Sequence, residues 1–148
     1  MKRQPLWVHL EIPIPTIKEN IWSALTLESK TKDYMFNCGL KCSWNIGDDA
    51  TWVETNDDGT YKTHVQGTLV EYSSYELLRF SIFHEKANST RFQSELQFLI
   101  TAHAEGSLLT ITQGDFASFP EAEETYLACK NGWHQVKNSL KQTCLSMK

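Results

Sequence analysis

No run of apolar residues approaches the ~18 that a membrane-spanning helix needs, so no such helix is expected. The opening residues Met1-Lys2-Arg3-Gln4-Pro5 include two basic side chains, but no apolar stretch of signal-peptide length follows, and a cytoplasmic protein is expected. Basic residues do not exceed acidic ones: 14 Lys and Arg against 18 Asp and Glu give a net charge of −4. That balance argues against nucleic acid as a partner, since phosphate binding needs a basic face. The seven glycines stand singly, which leaves neither a dinucleotide fingerprint nor a phosphate loop. There is no Gly-x-Ser-x-Gly, and His84-Glu85 lacks a second histidine four residues after the first. His9, His64, His84, His103 and His134 are scattered without ligand spacing, and Asp48-Asp49 and Asp57-Asp58 read as solvated turns. No metal, cofactor or catalytic residue is therefore expected. Cys38 and Cys42 have no second close pair to complete a zinc site. Cys129 and Cys144 fall on one helix, too far apart to bond each other. All four cysteines read as buried small hydrophobes in a reducing compartment. Asn88-Ser89-Thr90, without a secretion signal, reads as a polar turn.

Of the 148 residues, 41% are hydrophobic and 22% charged, the composition of a folded globular chain and enough for one domain over residues 1–148. Proline is scarce too, and none follows Pro120. The spacing predicts a helix over residues 118–148. Tyr126, Cys129, Trp133, Val136, Leu140, Cys144 and Met147 share one face at 100° per residue. Ser118-Phe119-Pro120-Glu121 fits a capping box with proline in the first turn. Gly132, inside this helix, costs ~1 kcal/mol relative to alanine. The expectation is that another element approaches too closely there for a Cβ, so that Gly132→Ala destabilises.

Strict alternation marks a strand over residues 7–12, ended by Pro13 and Pro15. Thr16-Ile17-Lys18-Glu19 fits a second capping box and opens a short helix. Another short helix is expected over residues 29–37, with Gly39 as its stop. Six strands follow, over residues 40–46, 50–55, 61–72, 76–83, 91–102 and 108–113. Asn56-Asp57-Asp58-Gly59 is a hairpin signal, Ser73-Ser74 a second turn, and residues 85–89 a polar turn. Consecutive hairpins give an antiparallel meander, and seven strands twist and curl. The expected fold is α+β: a curved seven-stranded antiparallel sheet wrapped on a long C-terminal helix, with two short helices after the first strand. The far end of such a sheet is roofed only by the short helices, which tends to enclose a pocket.

Four stretches in this order carry a resemblance: Cys42-Ser43-Trp44-Asn45-Ile46-Gly47 with Trp52; Gly67-Thr68-Leu69-Val70-Glu71-Tyr72; Leu78-Arg79-Phe80; and Gly132-Trp133 with Val136 and Leu140 behind. Residues 17–26, IKENIWSALT, are similar to the first helix of the same family. The chain resembles the family named for the activator of the heat-shock-protein-90 ATPase, within the START-like (SRPBCC) superfamily. Ser73-Ser74 stands where that family commonly has prolines, and Ile82 where it commonly has an aromatic. The resemblance implies the helix-grip fold and, among partners, a chaperone.

Trp44, Trp52, Leu69, Phe80, Phe98, Tyr126 and Trp133 have two readings, ordinary core or the wall of an apolar pocket. Glu71 and Gln113 fall in phase with apolar positions of their strands, and Lys137 lies at the edge of the helix's apolar face, so these three are candidate polar groups inside it. Three functions stay open. The first is binding of a small hydrophobic or amphipathic molecule without catalysis. A co-chaperone-like module is the second, and an enzyme of the cyclase or hydrolase type of the wider superfamily the third. A direct check follows from the cysteine spacing: all four thiols should titrate after denaturation without reductant, and the fold should survive a strong chelator. A tightly held zinc would contradict that reading.

Overall fold

The structure is a computed structural model that describes residues 4–85 and 91–147. The expected polar turn over residues 85–89 and the Asn88-Ser89-Thr90 sequon fall largely or wholly outside the described residues. The order of elements is β1 (Val8–Ile14), α1 (Lys18–Thr26), α2 (Glu28–Tyr34), β2 (Cys38–Lys41), β3 (Asp49–Thr55), β4 (Tyr61–Ser73), β5 (Leu77–Glu85), β6 (Arg91–His103), β7 (Gly106–Gly114) and α3 (Ala122–Leu145). The seven strands form one antiparallel sheet in the order β1-β7-β6-β5-β4-β3-β2. One face carries the core: Val8, Leu10, Ile12 and Ile14 from β1; Leu78, Phe80 and Ile82 from β5; Leu96, Phe98 and Ile100 from β6; Leu109 and Ile111 from β7. Period-two alternation makes this face, and α3 covers it with Trp133, Val136, Leu140 and Cys144.

Several boundaries differ from expectation, each for a physical reason. Strand β1 continues through Pro13 to Ile14, because β1 is an edge strand and a missing N–H on the open side costs no ladder bond. Neither capping box forms. Thr16 accepts from the Asn20 side chain at 2.8 Å instead, and the N-cap of α1 is Ile17 with no side-chain cap. Residues 115–121 are not helical. Asp115 Oδ1 accepts from the backbone of Leu6 (2.8 Å) and Ala117 (2.9 Å), and this turn buries Phe116 and Phe119 against the sheet. Burying two phenylalanine rings outweighs a capping box worth ~1 kcal/mol. Helix α3 then starts at Ala122, after Glu121 in a left-handed conformation (φ 56°).

Helix α2 ends at Tyr34, not 37, and its stop is the pair Phe36 and Asn37, both left-handed (φ 52° and 64°). Gly39 lies within β2. The Tyr34 hydroxyl donates to Ala24 O at 2.8 Å, and Leu40 N donates to the buried Thr31 hydroxyl at 2.7 Å, so α1, α2 and β2 lock together. Strand β2 is short, and the expected continuation to Ile46 is a loop. Trp44 is left-handed (φ 65°), and the loop is tied to β4 by Gly47 N to Leu69 O (2.8 Å) and Leu69 N to Asp48 O (2.9 Å).

The ladder between β4 and β5 runs from Ser73↔Leu77 to Gly67↔Ile82 and stops there. Before Gly67, β4 pairs only with β3, and the two halves of the sheet part. At this last rung, a Cβ on Gly67 would fall well inside van der Waals contact distance of the Ser81 carbonyl oxygen, a backbone atom that cannot move aside cheaply. Gly67→Ala should therefore destabilise by about 1–3 kcal/mol. The check is a lower denaturant midpoint; an unchanged one would remove the close approach from the account.

Candidate functional site

Where β4 leaves β5, the concave face is not filled. A cavity of about 360 Å³ lies between the sheet and α3. Its interior wall is Trp52, Ile82, Leu96, Gln113, Trp133 and Val136, all buried. Met35, Phe36 and Cys38 close it from the α2–β2 connection, Cys129 and Gly132 from α3, and His64, Val65, Phe83 and His84 from the parting strands. Phe36, 60% exposed, marks the mouth. Two consecutive left-handed residues turn its ring outward rather than into the core.

One polar line crosses the interior wall. Trp133 Nε1 donates to Gln113 Oε1 at 2.8 Å, Gln113 Nε2 donates to Ser94 Oγ at 3.0 Å, and Ser94 Oγ lies 2.8 Å from His84 Nε2. An indole N–H only donates, so the atom facing it is the amide oxygen and the orientation of Gln113 follows. The His84 ring packs edge-to-face on Phe116 (5.8 Å) and Phe119 (5.3 Å). His64 occupies a bulge opposite Trp52 and Val53, and its Nε2 lies 2.8 Å from Glu54 Oε1.

Three of the ten residues expected in a pocket line the cavity: Trp52, Gln113 and Trp133. Phe80 and Phe98 stand directly behind them. Edge-to-face contacts run from Trp133 to Phe98 (5.8 Å), Phe98 to Phe80 (6.3 Å) and Phe80 to Trp52 (5.3 Å). Leu69 is fully buried core, and Trp44 packs on Phe80 and Tyr72 from the loop before β3. Tyr126 and Lys137 are half-buried on α3, away from the lining, with Lys130 Nζ 5.9 Å from the Tyr126 ring.

Glu71 is on the opposite face of the sheet. A bulge between Leu69 and Glu71 shifts the phase of β4 by one residue, so Glu71 pairs with Arg79 and meets it at 2.7 Å. The close-approach reading of Gly132 is also overturned, because nothing lies within 4 Å of where its Cβ would be. His84, Ser94, Met35 and Phe36 were missed. Ser94 and His84 share the phase of apolar positions on β6 and β5, which is a legible signal; the α2–β2 connection offered none.

The four cysteines are thiols, and burial pushes Cys144 up to about 12 and Cys38 upward as well. No group of three or more His, Cys, Asp or Glu side chains among the described residues is arranged to hold a metal ion. Nor, among the described residues, is any helix long and apolar enough to cross a membrane.

Residues 15–144 match the family described as Activator of Hsp90 ATPase homolog 1-like protein. The chain belongs to that family. Solved structures agree on the fold, the helix grip of this family. A protein from Mesorhizobium loti superposes with a TM-score of 0.74 at 19% identity, over 96% of this chain and 98% of the other. One from Cytophaga hutchinsonii gives 0.69 at 19% identity, over 99% and 100%. The AHSA1-like protein from Aeromonas hydrophila gives 0.68 at 14% identity, over 95% and 92%. No curated protein matches the chain.

Within this family fold, the open space beside Gly132 reverses the expected sign of its substitution. Gly132→Ala should raise stability by up to ~1 kcal/mol, the helix propensity gain with no steric cost. A denaturant midpoint that rises with an unchanged slope is the expected result, and a fall would mean that the helix sits closer to the sheet than here.

Proposed function

We propose that this protein binds a small hydrophobic or amphipathic molecule in the cavity between the sheet and α3. The observation that carries this reading is a space of about 360 Å³ whose wall is aromatic and aliphatic, with a few polar groups converging on it. Ligand sites have this form and size, ~300–1,000 Å³. A transferable detail supports it. Trp133 and Gln113, which bound the cavity, bond to each other rather than filling it. The chaperone-related description of the family makes docking on a chaperone the second reading.

The test uses N-phenyl-1-naphthylamine, a neutral apolar fluorophore. It should bind the folded protein near one-to-one and quench the emission of Trp52 and Trp133 at the wall. Gly132→Leu, which places a side chain in the cavity, should weaken binding at least about tenfold while far-UV circular dichroism is unchanged. Equal binding by wild type and Gly132→Leu would move the site elsewhere. No binding by wild type, together with stimulation of a heat-shock-protein-90 ATPase that Gly132→Leu leaves intact, would favour the chaperone reading.

A further inference from the structure

We infer that the ligand is uncharged and carries an acceptor oxygen that docks on the Gln113 amide. This deepens the ligand-binding reading and rests on it.

The inference follows from counting donors. A glutamine amide has two N–H donors and a carbonyl oxygen with two lone pairs. At Gln113 one lone pair takes the Trp133 N–H and one N–H goes to Ser94. The residue is 6% exposed and lines the cavity, so its second N–H has only the cavity in which to find a partner. Trp133 and Ser94 hold the amide from both sides, so it cannot flip to offer the oxygen instead: flipping would set N–H against the indole N–H. The cavity is thus presented with a fixed donor in an otherwise apolar wall. A buried donor with no partner is costly, which makes an acceptor on the ligand the complement that this wall selects.

Charge is argued from what else lines the space. Among the described residues, the lining contains no Lys, Arg, Asp or Glu. Its two histidines are each engaged, His64 with Glu54 and His84 with Ser94. A carboxylate or an ammonium group would leave water for a wall without Lys, Arg, Asp or Glu, which is far more costly than burying a neutral carbonyl on an N–H. The class is therefore a mainly apolar molecule with a ketone, ester or amide oxygen.

Equilibrium dialysis with four molecules of one skeleton tests this: 2-acetylnaphthalene, 2-isopropenylnaphthalene, 2-naphthoate and protonated 2-naphthylmethylamine. Wild type should prefer the ketone over the isosteric hydrocarbon by about 2- to 10-fold, the range of a net neutral hydrogen bond. Both charged molecules should bind more weakly than the ketone. In the double variant Gln113→Met with Trp133→Phe, which removes the indole N–H together with its acceptor, the ketone and the hydrocarbon should bind equally. If that variant does not fold, Gln113→Leu with Trp133→Phe is read in the same way. A ketone preference that survives loss of the amide, or tightest binding by either ion, overturns the inference and leaves the ligand-binding reading standing. Failure of all four molecules and of the neutral fluorophore to bind wild type defeats both.

Discussion

The hydrogen bond from Trp133 to Gln113 fixes how far α3 stands from the sheet. It joins the middle of the long helix to an inner position of β7 at 2.8 Å, with both partners buried. Trp133 also meets Phe98 edge-to-face, so the ring is held by a donor at one edge and an aromatic at another. Removing the acceptor would strand a buried indole N–H, which costs ~1–3 kcal/mol. Past Val136, at Leu140 and Cys144, the helix lies on filled core. From Val136 back through Trp133 and Gly132 to Cys129, it borders the space.

That space exists because the sheet is not continuous beneath it. Gly67 brings β4 against the carbonyl of Ser81, and beyond this rung β4 follows β3 while β5 follows β6. The helix spans the opening, pinned at Trp133. The α2–β2 connection closes one side, and the turn that buries Phe116 and Phe119 encloses His84 at another. The aromatic series Trp52–Phe80–Phe98–Trp133 runs along the concave face and stiffens the wall, since each ring is fixed by its neighbours.

Much of this was legible from alternation alone. The inner faces of β1, β5, β6 and β7 and the apolar stripe of α3 follow from periods of 2.0 and 3.6, and so does the inward direction of Gln113. Readings failed where a local irregularity breaks the period. One extra residue at Val70 turned Glu71 outward to Arg79, and no residue type in 61–72 announces a bulge. Both capping boxes failed because their residues had stronger partners elsewhere: Asn20 for Thr16, and the burial of Phe119 beside Ser118. The mouth was not legible at all, because it is built from backbone conformation at Phe36 and Asn37, residue types that carry no reliable left-handed signal in pairs.

The two glycines that matter here separate structural need from something else. Gly67 has a packing reason: a side chain there would collide with backbone. Gly132 has none, since open space surrounds its missing Cβ, and an alanine would add helix stability at no steric cost. Phe36 adds a second departure of the same kind, a large apolar residue held left-handed and exposed at the mouth when burial would stabilise the fold. Natural chains are seldom at their stability optimum, and local departures with no packing reason gather where activity needs them. Gly132 and Phe36 both border the same cavity, on different elements far apart in the chain. An incidental void gives no reason for two such residues to meet around it. On the ligand-binding reading proposed above, a space that stays open to admit a molecule gives a reason for both: Gly132 leaves the floor of α3 without a side chain, and Phe36 stands at the entrance instead of filling the interior.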